Sequence, residues 1–213
     1  MSQFVFASRD EWLEARGNSI GGSDIASVMG LGYQTKLDLW KEKTGQKKAP
    51  DISDNERIQL GNQAEPVLRE LFAVIHPEYE VSYEPFNLCR PDDPKYYFCH
   101  YSYDGLLKEK ETDREGILEI KTATCMSRAD WEKWENRVPQ NYFLQCLWGM
   151  FVLDREYTDL FAMLKNNEGD LTVRTYHFER ADSADYIEEM KQAAREFWTT
   201  VERKSVPSIT LSL

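Results

Sequence analysis

Apolar positions along the chain follow two periods, and the change from one to the other divides it into stretches. Ser8 and Glu11 form a capping-box pattern ahead of Trp12, Leu13 and Ala15, which predicts a short helix ending near Arg16-Gly17. Glycines then cluster in RGNSIGGSDIASVMG, where Ser23 or Asp24 can cap a second short helix that Gly30 stops. TKLDLWKEKTG predicts a third helix ending at Gly45, followed by the polar linker QKKAPDIS. Ser53 and Glu56 make another capping box, opening a long helix with Ile58, Leu60, Ala64, Val67, Leu68, Leu71, Phe72 and Ile75 on its apolar face.

The middle of the chain turns to the strand period. YEVSYEPFNL, KYYFCHYSYDGLL and GILEIKTAT read as strands separated by RPDDP and KEKETDREG. Two helices are expected next, SRADWEKWEN and PQNYFLQCLWGMFVL, with Pro139 in the first turn of the second. YTDLFAML and DLTVRTYHFE form a hairpin across NNEG, and ADYIEEMKQAAREFWTTVERK closes as an amphipathic helix. No internal repeat or low-complexity segment interrupts this order.

Composition narrows the class. The chain has 213 residues, 41% hydrophobic and 30% charged, the balance of a globular protein with a substantial core. No apolar run is long enough to span a bilayer, and the opening MSQFVFASRDEW lacks the basic-then-apolar order of a signal peptide. Cys89, Cys99, Cys125 and Cys146 are scattered, which fits reduced thiols in a cytosol better than a disulfide framework or zinc site. The net charge of −11, from 26 basic and 37 acidic residues, argues against a generally basic DNA-binding surface. It leaves room for a carboxylate cluster that binds metal, and for an acidic regulatory protein.

The candidate chemistry starts in GILEIKTAT. Alternate strand residues share a face, so Glu119 and Lys121 point together while Leu118 and Ile120 point away. Such a pair is either solvated surface or the carboxylate and lysine of a metal-dependent nuclease. If strands 97–107 and 116–123 pair as a hairpin, Asp104 comes close to Glu119 across the ladder. Two adjacent carboxylates repel and are tolerated when a cation lies between them. Mg²⁺ suits such a site, and the Ile120 carbonyl is a further candidate ligand. Asp104-Gly105 also reads as an ordinary turn or bulge. Glu65, followed in its helix by Pro66, is either a solvated residue beside a kink or a third carboxylate tilted toward the site. Gln145 lies in an otherwise apolar helix, where a buried amide needs partners, either within the framework or at the same cleft. Arg16 in the glycine-rich connector either pairs with a nearby carboxylate or grips a phosphate, beside a helix N-terminus at Ser23-Asp24 that would offer free amides.

Together and in order, Arg16 and Ser23 in RGNSIGGSDIA, Gly61 and Glu65 in LGNQAEP, Asp104-Gly105, Glu119-Ile120-Lys121, and Tyr142 with Gln145 resemble the YqaJ-type viral recombinase family. This is the lambda exonuclease branch of the PD-(D/E)xK nucleases. Tyr103 stands where the PD half-motif has proline, a departure that removes no ligand. The resemblance spans roughly residues 10–165, and the last fifty residues carry no matching motif.

The resemblance implies an α/β fold with a restriction-endonuclease-like core, a central mixed sheet flanked by helices. It implies a single nuclease domain over residues 1–213, with N-terminal helices 8–50, catalytic core 53–165, and C-terminal hairpin and helix 157–204. The implied activity is Mg²⁺-dependent degradation of linear duplex DNA from 5′ ends, leaving 3′ single strands for a phage annealing protein. Mn²⁺ is expected to substitute, with two ions per site. By the same match Asp104, Glu119 and the Ile120 carbonyl hold metal with help from Glu65, and Lys121 orients or deprotonates the attacking water. Gln145 supports the site, and Arg16 and Ser23 receive the 5′-terminal phosphate. A homo-oligomer, a trimer by analogy, and the cytosol of a bacterial host complete the expectation, for a phage- or prophage-encoded protein. The rival readings are a structure-specific endonuclease of the same fold, and a non-enzymatic acidic phage protein that binds a host DNA-processing enzyme. An iron–sulfur nuclease is disfavoured, because the four cysteines lack the grouped C-terminal spacing it needs.

Overall fold

Local capping signals set most of the helix boundaries. In the computed structural model, which describes residues 1–50 and 54–208, helix α1 spans Arg9–Gly17, and the Ser8 hydroxyl accepts the Glu11 amide at 3.3 Å. Helix α2 spans Gly22–Val28 and is capped by Gly21, so Ser23 and Asp24 fall inside its first turn rather than at the cap. The Asp24 carboxylate accepts the Gly21 amide at 3.1 Å, so that amide is not free for a ligand. Gly30, at φ 79°, takes the left-handed turn that ends this stretch. Helix α3 spans Lys36–Lys43 behind the Thr35 cap. Helix α4 spans Glu56–Ile75, continues through Pro66, and is capped by Asn55; the expected cap at Ser53 lies outside the described residues.

Five strands form the central sheet: β2 (Tyr79–Ser82), β4 (Gly105–Glu109), β5 (Glu115–Thr124), β6 (Tyr157–Lys165) and β7 (Leu171–Glu179). Their order is β2-β4-β5-β6-β7, with β5 and β6 parallel and the other neighbours antiparallel. This is the expected mixed sheet. Two further strands, β1 (Ser2–Val5) and β3 (Asn87–Arg90), make a separate antiparallel ribbon. The sequence pattern did not predict β1, whose four residues are all exposed and carry no alternation.

Two expected strands come out differently. YEVSYEPFNL is divided between β2 and β3, because Pro85 lacks an amide to donate and Phe86 turns at φ 53°. The stretch 95–107 is a strand only from Gly105 onward. Upstream, Tyr96, Phe98, Tyr101 and Tyr103 are buried in the main core, and the backbone makes only isolated bridges, Ile20 to Cys99 and Cys89 to Tyr101. Packing of these rings against the helices outweighs their strand propensity.

Helices cover both faces of the sheet. Leu68 and Phe72 of α4 pack on Leu107, Leu118, Ile120 and Phe161. On the other face lies α6 (Gln140–Leu153), with α2, α3 and the C-terminal helix α7 (Ala184–Glu202) around it. Pro139 is the N-cap of α6, one position before the first turn, and every residue from Cys146 to Leu153 is buried, as an all-round apolar pattern requires. A short helix, α5 (Arg128–Glu132), lies in the connection between β5 and α6.

Candidate active site

The site forms where β4 begins. The last pair of the β4–β5 ladder is Gly105 with Leu118, so one step further sets Asp104 against Glu119. The Asp104 carboxylate accepts the Ile120 amide at 2.8 Å. The amide and carbonyl of one strand residue face the same edge. The Ile120 carbonyl therefore lies along the edge of β5 that β4 leaves uncovered.

Glu119 is 1% exposed and held on all sides. One carboxylate oxygen accepts the Gln145 side-chain amide at 2.7 Å and the Lys121 ammonium. The other accepts the Tyr101 hydroxyl. The solvated-surface alternative for the Glu119–Lys121 pair therefore fails. Lys121 Nζ also lies 5.4 Å from the centre of the Tyr142 ring. Gln145, an amide among the apolar residues of α6, turns to Glu119 rather than to the framework.

Electrostatics follow from this crowding. Burial, and next the charge of Glu119, push the Asp104 carboxyl well above its ordinary range. Burial alone would lower the Lys121 ammonium, but Glu119 and Asp104 more than offset it and hold its pKa above the usual lysine value. Glu65 is raised by burial, with Arg69 acting against that and Glu119 adding to it.

Arg69 was not foreseen. Its guanidinium donates to Glu65 at 2.5 Å and to the Asp104 carbonyl, and it stacks 3.5 Å from the centre of the Tyr83 ring. It thereby ties the middle of α4 to the residue just before β4. The signal was present, since Arg69 lies four residues after Glu65 on one helix face. Tyr101 was missed too, and nothing in the strand pattern around it marks a ligand of Glu119.

Arg16 closes α1 with its guanidinium 4.3 Å from the centre of the Trp12 ring. Burial lowers its pKa, while Asp24, Asp104 and Glu119 act to raise it, so its charge feels these three carboxylates. Among the described residues it forms no ion pair within 4.0 Å, so the expectation of a connector arginine salt-bridged to a carboxylate is not met. Ser23 is exposed and bonds to none of these groups.

The donor set fits a divalent cation of the Mg²⁺ type. Among the described residues no three acidic, imidazole or thiol side chains stand close enough to hold a metal unaided. Mg²⁺ does not need three, because it takes one or two carboxylates and fills its shell with water and substrate oxygens. Asp104, Glu119 and the Ile120 carbonyl provide such a set, and the mutual repulsion that raises Asp104 is what a cation relieves. Chemically, a cationic lysine beside carboxylates able to take a divalent cation suits phosphodiester hydrolysis.

Known proteins resemble this chain in sequence and in fold. The YqaJ-like viral recombinase domain matches residues 11–159, a span that includes every candidate residue from Arg16 to Gln145. The uncharacterized protein YqaJ of Bacillus subtilis (strain 168) is 31% identical over 151 residues, 70% of this chain and 44% of that protein. The chain thus spans less than half the length of that curated relative. An alkaline exonuclease from Laribacter hongkongensis is similar in fold, with a TM-score of 0.69 at 20% identity over 92% of this chain and 93% of that one. A phage-related exonuclease from Haemophilus somnus 129PT has a TM-score of 0.55 at 13% identity, over 87% of this chain and 96% of that one. At these identities the likeness to the solved structures is one of fold.

Proposed function

The chain belongs to the YqaJ-like viral recombinase family, and from that premise we propose that it is a Mg²⁺-dependent exonuclease acting on linear double-stranded DNA. It degrades one strand from the 5′ end and leaves 3′ single-stranded tails for a single-strand annealing protein in phage-type recombination. The observation that carries this reading is the opposition of Asp104 and Glu119 at the uncovered edge of β5, with Lys121 and Gln145 both bound to Glu119. The relatives named as exonucleases support it by fold.

In this reading Asp104, Glu119 and the Ile120 carbonyl hold the ions, with Glu65 assisting. Two Mg²⁺ ions, or Mn²⁺ in their place, would acidify the attacking water and stabilise the leaving oxygen. Lys121 orients that water and offsets charge on the phosphate. Gln145 and Tyr101 keep Glu119 in place, and Arg69 holds Asp104 and Glu65 together. Arg16, with Ser23 in the first turn of α2, receives the 5′-terminal phosphate. A closed ring of three copies in the bacterial cytosol would keep an acidic chain on DNA without a large basic footprint.

The test compares 5′-phosphorylated linear duplex with closed circular duplex, each with Mg²⁺ or with EDTA. The expected result is degradation of the linear substrate alone, from its 5′ ends, and only with Mg²⁺. Cutting of the circle would favour a structure-specific endonuclease. Metal-independent inertness toward both would favour a DNA-free acidic binding protein.

A further inference from the structure

A buried histidine lies against the glycine-rich connector, four residues before Asp104 along the chain, and the reaction described above gives it no part. His100 is 2% exposed, and its Nδ1 lies 2.7 Å from the Ser19 hydroxyl. Its other edge faces the connector backbone: a Cβ added to Gly21 would stand 2.6 Å from His100 Nε2 and 2.8 Å from Cε1. Only glycine lets the main chain come this close to the ring. The backbone is stitched at the same place, with the His100 amide donating to the Ile20 carbonyl at 2.9 Å and the Ile20 amide to the Phe98 carbonyl at 2.7 Å.

The next glycine makes a second close approach. A Cβ on Gly22 would lie 2.9 Å from Gln145 Cγ and 3.0 Å from Tyr101 Cε2, the two residues that bind Glu119 alongside Lys121. The far end of the connector is fixed by Asp24, which accepts the Gly21 amide and pairs with Lys43 Nζ at 2.8 Å. Residues 19–22 therefore rest on His100, Tyr101 and Gln145, and His100 lies four residues before Asp104 on one continuous segment.

We propose that His100, acting through Ser19 and the backbone of Gly21, is a positioning residue for end recognition: it sets the distance between the Arg16 connector and the catalytic carboxylates. The ligand class is a terminal phosphomonoester on a polynucleotide, and the inference rests on the reading that Arg16 receives it. The ring's state suits a spacer. Burial, and then the charges of Arg16, Lys43 and Arg90, hold the imidazole well below its usual pKa, so it is neutral and does not compete with Arg16 for the anion. A neutral ring also keeps one donor and one acceptor nitrogen, enough for its Ser19 contact.

The experiment measures digestion of duplexes with 5′-phosphate and 5′-hydroxyl ends at limiting DNA, for the wild type, Ser19→Ala, His100→Leu and His100→Asn. Thermal melting of each variant accompanies the rates. Ser19→Ala removes only the side-chain contact and keeps the test decisive if His100→Leu fails to fold. The expected result is a wild-type preference for phosphorylated ends that falls roughly three- to tenfold in Ser19→Ala and His100→Leu, the size of one hydrogen bond. The rate on hydroxyl ends should fall less, and His100→Asn, which can still bond Ser19, should recover part of the preference. A merely structural histidine would lower both rates together and leave their ratio unchanged. A wild-type preference kept at full size by folded Ser19→Ala overturns the inference alone. A wild type with no preference at all overturns the reading of Arg16 and the inference with it.

Discussion

Asp104 and Asp159 are both aspartates on the central sheet pushed above their ordinary range by burial, yet their surroundings act in opposite directions. At Asp104 the next influence is the charge of Glu119, which pushes the carboxyl further up, and its side-chain partner is a backbone amide. At Asp159 the next influence is His177, whose Nδ1 lies 2.6 Å from the carboxylate and pulls the pKa back. His177 also reaches Glu179 at 2.9 Å, and Arg114 joins Glu179, Glu156 and Glu109. One cluster supplies its acids with bases and belongs to the framework. At the other, Lys121 pairs with Glu119 and Arg69 with Glu65, but among the described residues no ion pair reaches Asp104, which faces the charge of Glu119, a repulsion that a bound cation would relieve.

The comparison breaks most plainly through activity. Asp104→Asn, Glu119→Gln and Lys121→Ala are each expected to lower cleavage of linear duplex by about a thousandfold or more, since several kcal/mol of transition-state stabilisation are removed. Asp104→Asn should melt no lower than the wild type, because it relieves repulsion. Release of end label and a thermal melt measure the two sides, and near-normal cleavage by any of the three would dissolve the assignment. At the framework cluster the pattern should invert. His177→Ala should leave cleavage close to wild type but lower stability in urea by about 1 kcal/mol, a single hydrogen-bonded contact discounted for the ring's 41% side-chain exposure. Unchanged stability would mean that Asp159 does not depend on the ring.

The smallest effect is a pH trend that sharpens the same contrast. Burial lowers the His177 pKa, but its bonds to Glu179 and Asp159 prevail, so the folded value stands above the unfolded one. A histidine raised in this way stabilises the fold fully below its unfolded pKa of about 6.5, and that contribution fades as pH rises through the folded value. The stability gap between wild type and His177→Ala should therefore be widest below about pH 6 and narrow on the alkaline side. Urea melts at several pH values would read this, and a gap that widens with pH would reverse the sign of the argument.

Much of the fold was legible because local signals and burial agree. The Ser8 cap, the all-round apolar α6 and the β6–β7 hairpin follow directly from residue pattern. The approach of Asp104 to Glu119 across a hairpin was legible as well, but the pattern left the register open, and the ladder ending at Gly105 and Leu118 supplies it. What escaped was tertiary. Tyr101 sits in an alternating aromatic run that reads as strand, yet that run is drawn into the helical core and delivers its hydroxyl to Glu119. Proline at 66 drew attention to a kink, while the residue that matters beyond it, Arg69, looked like ordinary helix surface. His100 carried no motif, and its place beneath the connector depends on glycines whose need for closeness shows only when the neighbour is known.

The late start of β4 also bears on how the chain assembles. Asp104 and Glu119 belong to one local hairpin, of a kind that closes in about 1–10 μs. Gln145, which steadies Glu119, comes 26 residues after it. At a synthesis rate of about 5–20 residues per second, that interval lasts on the order of seconds. A hairpin by itself is marginal in water, and this one must also bring two carboxylates face to face. The repulsion in the finished cleft therefore weighs first on the nascent chain. The two acids meet for good only once β6 has paired along the far edge of β5 and α6 has been laid across it.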